Sequence, residues 1–92
     1  AQSWAQTSTG SLSGIVSDAS GAPVPAASVA AKNNGTGLEI RTVTSDAGLY
    51  VFPTLATGVY TITIEKTGFK RVALSNIEIR IASRSDLNVK ME

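Results

Sequence analysis

The chain contains no cysteine and no histidine. The first absence removes disulfides, thiolate metal sites and cysteine nucleophiles. The second removes the commonest general base and the commonest transition-metal ligand. Aromatic residues make up only 5% of the chain and charged residues 16%. Lys and Arg number 8 against 7 Asp and Glu, and the resulting net charge of +1 gives no electrostatic ground for nucleic acid or an anionic membrane. No apolar run approaches the roughly 18 residues needed to span a bilayer. No basic segment followed by an apolar stretch opens the chain, yet Ala1-Gln2-Ser3 is what cleavage at a small-residue site leaves behind, so export is expected. The missing cysteines do not set the compartment, because disulfides are permitted rather than required outside the cytoplasm.

What is present suits a small core. In 92 residues, 42% are apolar, enough for one globular domain and too many for a disordered tail. Residues 1–10, AQSWAQTSTG, are small, polar and without period, and read as a flexible leader. Residues 11–92 read as the domain. There, short runs rich in Val, Ile, Thr and Tyr alternate with Gly, Pro, Asn, Asp and Ser clusters, and no window keeps a capped 3.6-residue apolar spacing. Strands are predicted at 12–17, 28–32, 38–44, 49–52 and 59–65, at 69–74 and 77–81 as one or two strands, and at 86–91. The clearest is 59–65, where Tyr60, Ile62 and Ile64 alternate with Thr61, Thr63 and Glu65.

Turn chemistry separates these runs. Asp18-Ala19-Ser20-Gly21 and Ser45-Asp46-Ala47-Gly48 are turns, and Asn33-Asn34-Gly35 is a hairpin signal that Thr36-Gly37 lengthens. The two prolines of Ala22-Pro23-Val24-Pro25 place it along an edge, and Pro53 is expected to stop its strand, leaving Leu55 in a loop as a plug. The predicted core is Leu12, Val16, Val29, Ile40, Val43, Tyr50, Phe52, Leu55, Tyr60, Ile62, Ile64, Phe69, Leu74, Ile77, Ile79, Ile81, Leu87 and Val89. The fold class that follows is all-β: a seven-stranded antiparallel β-sandwich with little or no helix.

An ordered set of residues carries a family likeness. Gly14-x-Val16-x-Asp18-x-x-Gly21-x-Pro23, then Ala27-x-Val29, resembles the opening of the carboxypeptidase regulatory-like domains. Thr44-x-x-x-Gly48-x-Tyr50-x-Phe52, then Leu55, Gly58-x-Tyr60 and Gly68-Phe69, continues the pattern through most of residues 10–91. The resemblance implies a prealbumin-like (transthyretin-like) sandwich. It departs from the family where Ser45 stands in a commonly acidic place, and where Ala26 replaces a common glycine. The family is a bolt-on module without conserved chemistry of its own. The small-residue leader, the Ala1-Gln2 start and the Asn33-Asn34-Gly35-Thr36-Gly37 loop look most like the N-terminal extension of bacterial TonB-dependent outer-membrane receptors. The resemblance therefore implies a non-enzymatic module on the periplasmic face of the outer membrane, touching a periplasmic or outer-membrane protein or the rest of its own parent chain. The alternative is a secreted or cell-surface carbohydrate- or matrix-binding accessory domain of a peptidase or glycosidase.

Candidate sites are few. Asp18, Asp46 and Asp86 offer oxygens to calcium, but each stands alone beside a turn or strand end, and turn formation is the expected role. Serine and threonine hydroxyls lack a histidine to activate them. The expectation is no catalytic residue, no metal and no cofactor. Tyr50, Phe52, Tyr60 and Phe69 fall at core positions, which leaves Trp4 as the aromatic contact candidate. Lys66, Lys70, Arg71, Arg80 and Arg84 are interleaved with Glu65, Glu78 and Asp86, as on a solvated mixed-charge surface. The first lysine, Lys32, lies beyond the first strand, so no Lys–Asn isopeptide bond of the kind found in adhesin sandwiches is expected.

Overall fold

The computed structural model describes residues 9–92, all in strands, turns and connecting segments, with no helix among them. Eight strands form: β1 (Thr9–Asp18), β2 (Ser28–Asn33), β3 (Glu39–Val43), β4 (Leu49–Ala56), β5 (Gly58–Glu65), β6 (Val72–Ile79), β7 (Arg84–Asp86) and β8 (Val89–Met91). They make two layers. One sheet runs β4–β1–β7, with β8 also paired to β1, and the other runs β3–β2–β5–β6. The sandwich is as expected, but two details are corrected. The count is eight rather than seven, and β7 and β8 pair with β1 in parallel while the remaining ladders are antiparallel.

The predicted strand at 86–91 splits for a local reason. Leu87 N–H donates to the Ser13 carbonyl, and Ile15 N–H bonds the Asn88 side-chain oxygen at 3.0 Å instead of a main-chain carbonyl. A side chain thus takes one rung of the ladder, and the strand is interrupted there. Pro53 does not stop β4. That strand is the free edge of its sheet, where a missing N–H costs no rung, and Pro53 and Thr54 together oppose Ser11 as a bulge. Leu55 is fully buried as expected, though on this strand rather than in a loop. The runs predicted at 69–74 and 77–81 are one strand from Val72 to Ile79. Ser75 and Asn76 bulge opposite Thr61, with Asn76 at φ 59°, so Leu74 and Ile77 keep the same inward side. Thr9 and Gly10, placed with the leader by composition, are the start of β1, paired with Ala56 and Leu55.

The core lies between the sheets. Leu12, Val16, Val29, Tyr50, Phe52, Leu55, Tyr60, Ile62, Ile64, Ile79 and Val89 are buried as predicted, and Phe69, Leu74, Ile77 and Leu87 pack partly against them. Val24, Ala27, Ala31 and Met91 join them unpredicted. Three predicted core residues are exposed: Ile40 at 37%, Val43 at 59% and Ile81 at 66%. Ile40, opposite the buried Ala31, is on the core side but on an edge strand that no further strand covers among the described residues, and Val43, opposite Ser28, lies on the outer face of the sheet. Ile81 has left the sheet in the turn from Arg80 to Ser83, where Ala82 takes φ 57° and its N–H bonds the Thr9 carbonyl.

Candidate functional site

The motif residues hold the sandwich shut. Asp18 builds its turn directly: one carboxylate oxygen accepts from the Ser20 hydroxyl at 2.6 Å and from the Ser20 and Ala22 N–H groups. These bonds, the hydroxyl first, hold its pKa below the usual carboxylate value. Pro23 bridges Ser17, and Val24 N–H donates to the Val16 carbonyl, which tucks Val24 into the core. Gly48 adopts φ 77° with its Cα close to the Val16 carbonyl, so only glycine closes this turn against β1. Gly21, Gly58 and Gly68 also sit at turns or strand starts with positive φ, and Phe69 follows the last of them as a half-buried wedge.

The two tyrosines are polar clamps. Tyr60 buries its ring, and its hydroxyl donates back to the Ala56 carbonyl at 2.6 Å, fixing the corner between β4 and β5. Tyr50 packs edge-to-face with Phe52, ring centroids 6.1 Å apart, and its hydroxyl donates to the Leu87 carbonyl. Gly14 lies under that same carbonyl, where a methyl group would overlap it. Burial of the hydroxyl, with a smaller push from the Asp86 charge, raises the Tyr50 pKa to about 12. At the next turn, Ser45 accepts from the Ala47 and Leu49 N–H groups through its hydroxyl.

Asp18, Asp46 and Asp86 are on separate turns and strands, with Asp86 accepting from the Ser13 hydroxyl. No three His, Cys, Asp or Glu side chains converge among the described residues. The five basic residues do not form one face, although Lys70 and Arg71 line a shallow groove with Lys90 and Glu92. Arg80 pairs with Glu78 at 3.1 Å, Arg84 lies on the opposite sheet in β7, and Lys66 and Arg71 line a shallow groove with Glu65 and Phe69. Trp4 lies outside the described residues.

Two surfaces stand out instead, and sequence reading named neither. On the outer face of the β4–β1 sheet, Ile15 pairs directly with Leu49 while Val51 stands beside them opposite Ser13; these three are 47%, 43% and 45% exposed. The signal was apolar residues on both parities of one strand pair: Leu12, Val16, Tyr50 and Phe52 fill the inner face, so Ile15, Leu49 and Val51 must point out. The second surface is the edge of β3, flanked by Leu38 at 61% exposure.

Comparison with known proteins places the chain in context. The model of the carboxypeptidase regulatory-like domain family matches residues 11–92. No curated protein matches. Among solved structures, a protein from Bacteroides uniformis ATCC 8492 described as a candidate carbohydrate binder superposes with a TM-score of 0.73 at 15% identity, over 89% of this chain and 40% of that one. A cohesin–X–dockerin complex from Acetivibrio cellulolyticus gives 0.61 at 21% identity, over 88% of this chain and 56% of that one. The 5-hydroxyisourate hydrolase of Klebsiella pneumoniae gives 0.59 at 22% identity, over 97% and 93%. At these identities the likeness is one of fold, and the chain spans about half the length or less of the first two.

Proposed function

The chain belongs to the carboxypeptidase regulatory-like domain family, and on that premise we propose that it is a non-catalytic accessory module. In this reading it makes protein contacts in the periplasm, as the N-terminal extension of a TonB-dependent outer-membrane receptor. The observation that carries the contact role is the contiguous row of Ile15, Leu49 and Val51 on a rigid sheet face. Single exposed apolar residues are ordinary; an adjoining set held by a β-ladder is what a docking surface offers a partner. The receptor setting rests on the likeness carried by the ordered glycine–aromatic set within the matched residues 11–92.

The test is a photo-reactive amino acid at Val51, with another at Ala73 on the outer face of the other sheet, in bacteria exporting the chain. Crosslinks from position 51 to periplasmic or outer-membrane proteins are expected, and few from position 73. Equal yields from the two positions would remove the contact role, and purely cytoplasmic adducts would remove the setting.

A second reading has one specific support. The Bacteroides protein that shares this sandwich is described as a candidate carbohydrate binder. Against it, Tyr50, Phe52 and Tyr60 are buried and cannot offer a stacking surface to a sugar ring. Selective retention on a glycan array would favour this reading over the protein-contact one.

A further inference from the structure

We infer that the free edge of β3 pairs two copies of this chain as a twofold antiparallel dimer. The surface is separate from the Ile15–Leu49–Val51 row, being the edge of the other sheet.

The starting point is how β3 divides its backbone groups. Asn33 N–H donates to the Leu38 carbonyl, and Thr44 N–H donates to the Ala27 carbonyl. Bonded residues alternate along an antiparallel ladder, so Leu38, Ile40, Thr42 and Thr44 turn their N–H and C=O toward β2. Glu39, Arg41 and Val43 turn theirs outward, where no strand follows among the described residues.

The other edges are interrupted in their backbone and this one is not. The β4 edge carries Pro53 and a bulge, and the β6 edge is bent by the Ser75–Asn76 bulge. The edge formed by β7 and β8 is broken into two strands of 3 residues each. By contrast, β3 pairs with β2 in unbroken register over five residues, and none of the five is proline. Proteins disarm such edges with proline, bulges, short strands or charged side chains. The charges on β3, Glu39 and Arg41, are opposite in sign, so they disfavour a like-charged edge and not a reversed copy of this one.

The side chains select both partner and register. Glu39 and Arg41 flank Ile40 and already form an ion pair of 2.6 Å along the edge. A sequence of acid, apolar residue, base is self-complementary when reversed about its centre. With Ile40 opposite the partner's Ile40, Glu39 faces the partner's Arg41, and Arg41 faces the partner's Glu39. Those outward-turned residues are also the ones with free N–H and C=O, so the charge register and the hydrogen-bond register coincide. Centring on Arg41 instead sets two like charges opposite each other, which is destabilising. The chosen register also covers Ile40 and sets Leu38 against the partner's Thr42, covering apolar surface the single chain leaves exposed.

One edge of five residues is a small interface, so weak pairing is expected, with a dissociation constant on the order of 100 µM. Sedimentation equilibrium of the 92-residue chain is expected to show monomer and dimer exchanging, with the Glu39 and Arg41 amides gaining hydrogen-exchange protection as concentration rises. E39R alone and R41E alone are each expected to weaken the dimer at least roughly tenfold, since attraction becomes repulsion twice over. Both positions are exposed, and circular dichroism checks that each variant folds. An equimolar mixture of the two variants is expected to dimerise again, because the two cations of one chain then face the two anions of the other. A wild-type chain that stays monomeric at the highest concentration reached overturns the inference. So do single variants that associate like the wild type, a mixture that fails to recover, or protection appearing at β4 or β6 instead.

Discussion

The Tyr50 hydroxyl donates to the Leu87 carbonyl at 2.5 Å, and the same carbonyl rests over the bare Cα of Gly14. Three distant stretches of sequence meet at one oxygen. Leu87 lies in the link between β7 and β8, so this contact pins the C-terminal strands to β1 and β4. Replacing Tyr50 with Phe keeps the ring and removes the donor, leaving a buried acceptor without its partner. The expected loss is about 1–2 kcal/mol in urea unfolding at neutral pH. A stability equal to that of the wild type would show that water replaces the hydroxyl.

The same residue gives the fold an alkaline limit. Unfolded tyrosine ionises near 10, whereas in the folded chain the Tyr50 pKa is pushed up to about 12, first by burial and then by the Asp86 charge. A raised folded pKa favours the protonated, folded form, so this contribution is complete below pH 10. It is lost as pH rises through 12, because the unfolded chain releases its proton first. The Tyr50–Leu87 contact is only partly buried and solvent screens the effect, so the decline is at most on the order of 2 kcal/mol between those values. Urea midpoints measured from pH 9 to 12 should fall more steeply for the wild type than for Tyr50→Phe.

Gly14→Ala tests the other side of the contact. A methyl group there overlaps the Leu87 carbonyl and crowds the Tyr50 hydroxyl, and the obstacle is main chain rather than a flexible side-chain end. The cost should exceed about 3 kcal/mol. Gly35→Ala is the comparison: its added methyl would meet only the Asn33 side-chain oxygen at 3.3 Å, and φ there is not positive. Thermal melts of the two variants should differ widely.

How much of this was legible before any coordinates depends on whether the signal is local. The alternation of Tyr60, Ile62 and Ile64 is local and translates directly into one buried face of β5. Asp18-Ala19-Ser20-Gly21 is local too, and forms the turn its residue types dictate. Pro53 misled because whether a missing N–H matters depends on which side of the strand has a neighbour, and only the topology decides that. Ile81 misled because it extends the Ile77–Ile79 alternation, while the turn at Ala82 carries it off the sheet. Val24 was hidden between two prolines, although its N–H still reaches Val16. The β3 edge was invisible for the same reason as Pro53: nothing within residues 39–43 says that one side goes unpaired. The Ile15–Leu49–Val51 row was readable in principle, once both strands were known to fill their inner face with other residues.

Ala26 is a strained position. It adopts φ 56°, in the left-handed region where a Cβ is crowded. Ala26→Gly relieves that strain at the cost of a more flexible unfolded chain. The first effect is the larger, so a net gain of roughly 0.5–1 kcal/mol is expected. The measurement is the urea midpoint, which should rise with no change in slope. An unchanged or lower midpoint would mean the surrounding turn accommodates the methyl group without strain.

Thr44 ties the Pro23–Ala27 segment to the end of β3. Its hydroxyl donates to the Val24 carbonyl at 2.7 Å and accepts from the Ala27 N–H at 2.8 Å, at a residue only 5% exposed. One oxygen thus satisfies two buried backbone groups that no strand supplies with partners. Valine matches threonine in shape and provides neither bond, so Thr44→Val leaves a donor and an acceptor unpaired away from water. A loss of about 2–4 kcal/mol is expected. Serine keeps the hydroxyl and drops only a methyl group, so Thr44→Ser should retain most of the stability. If hydrogen bonding is the cause, the Ala27 amide should exchange rapidly in the valine variant and slowly in the serine one. Equal losses in the two variants would instead assign the role of Thr44 to packing of its methyl group.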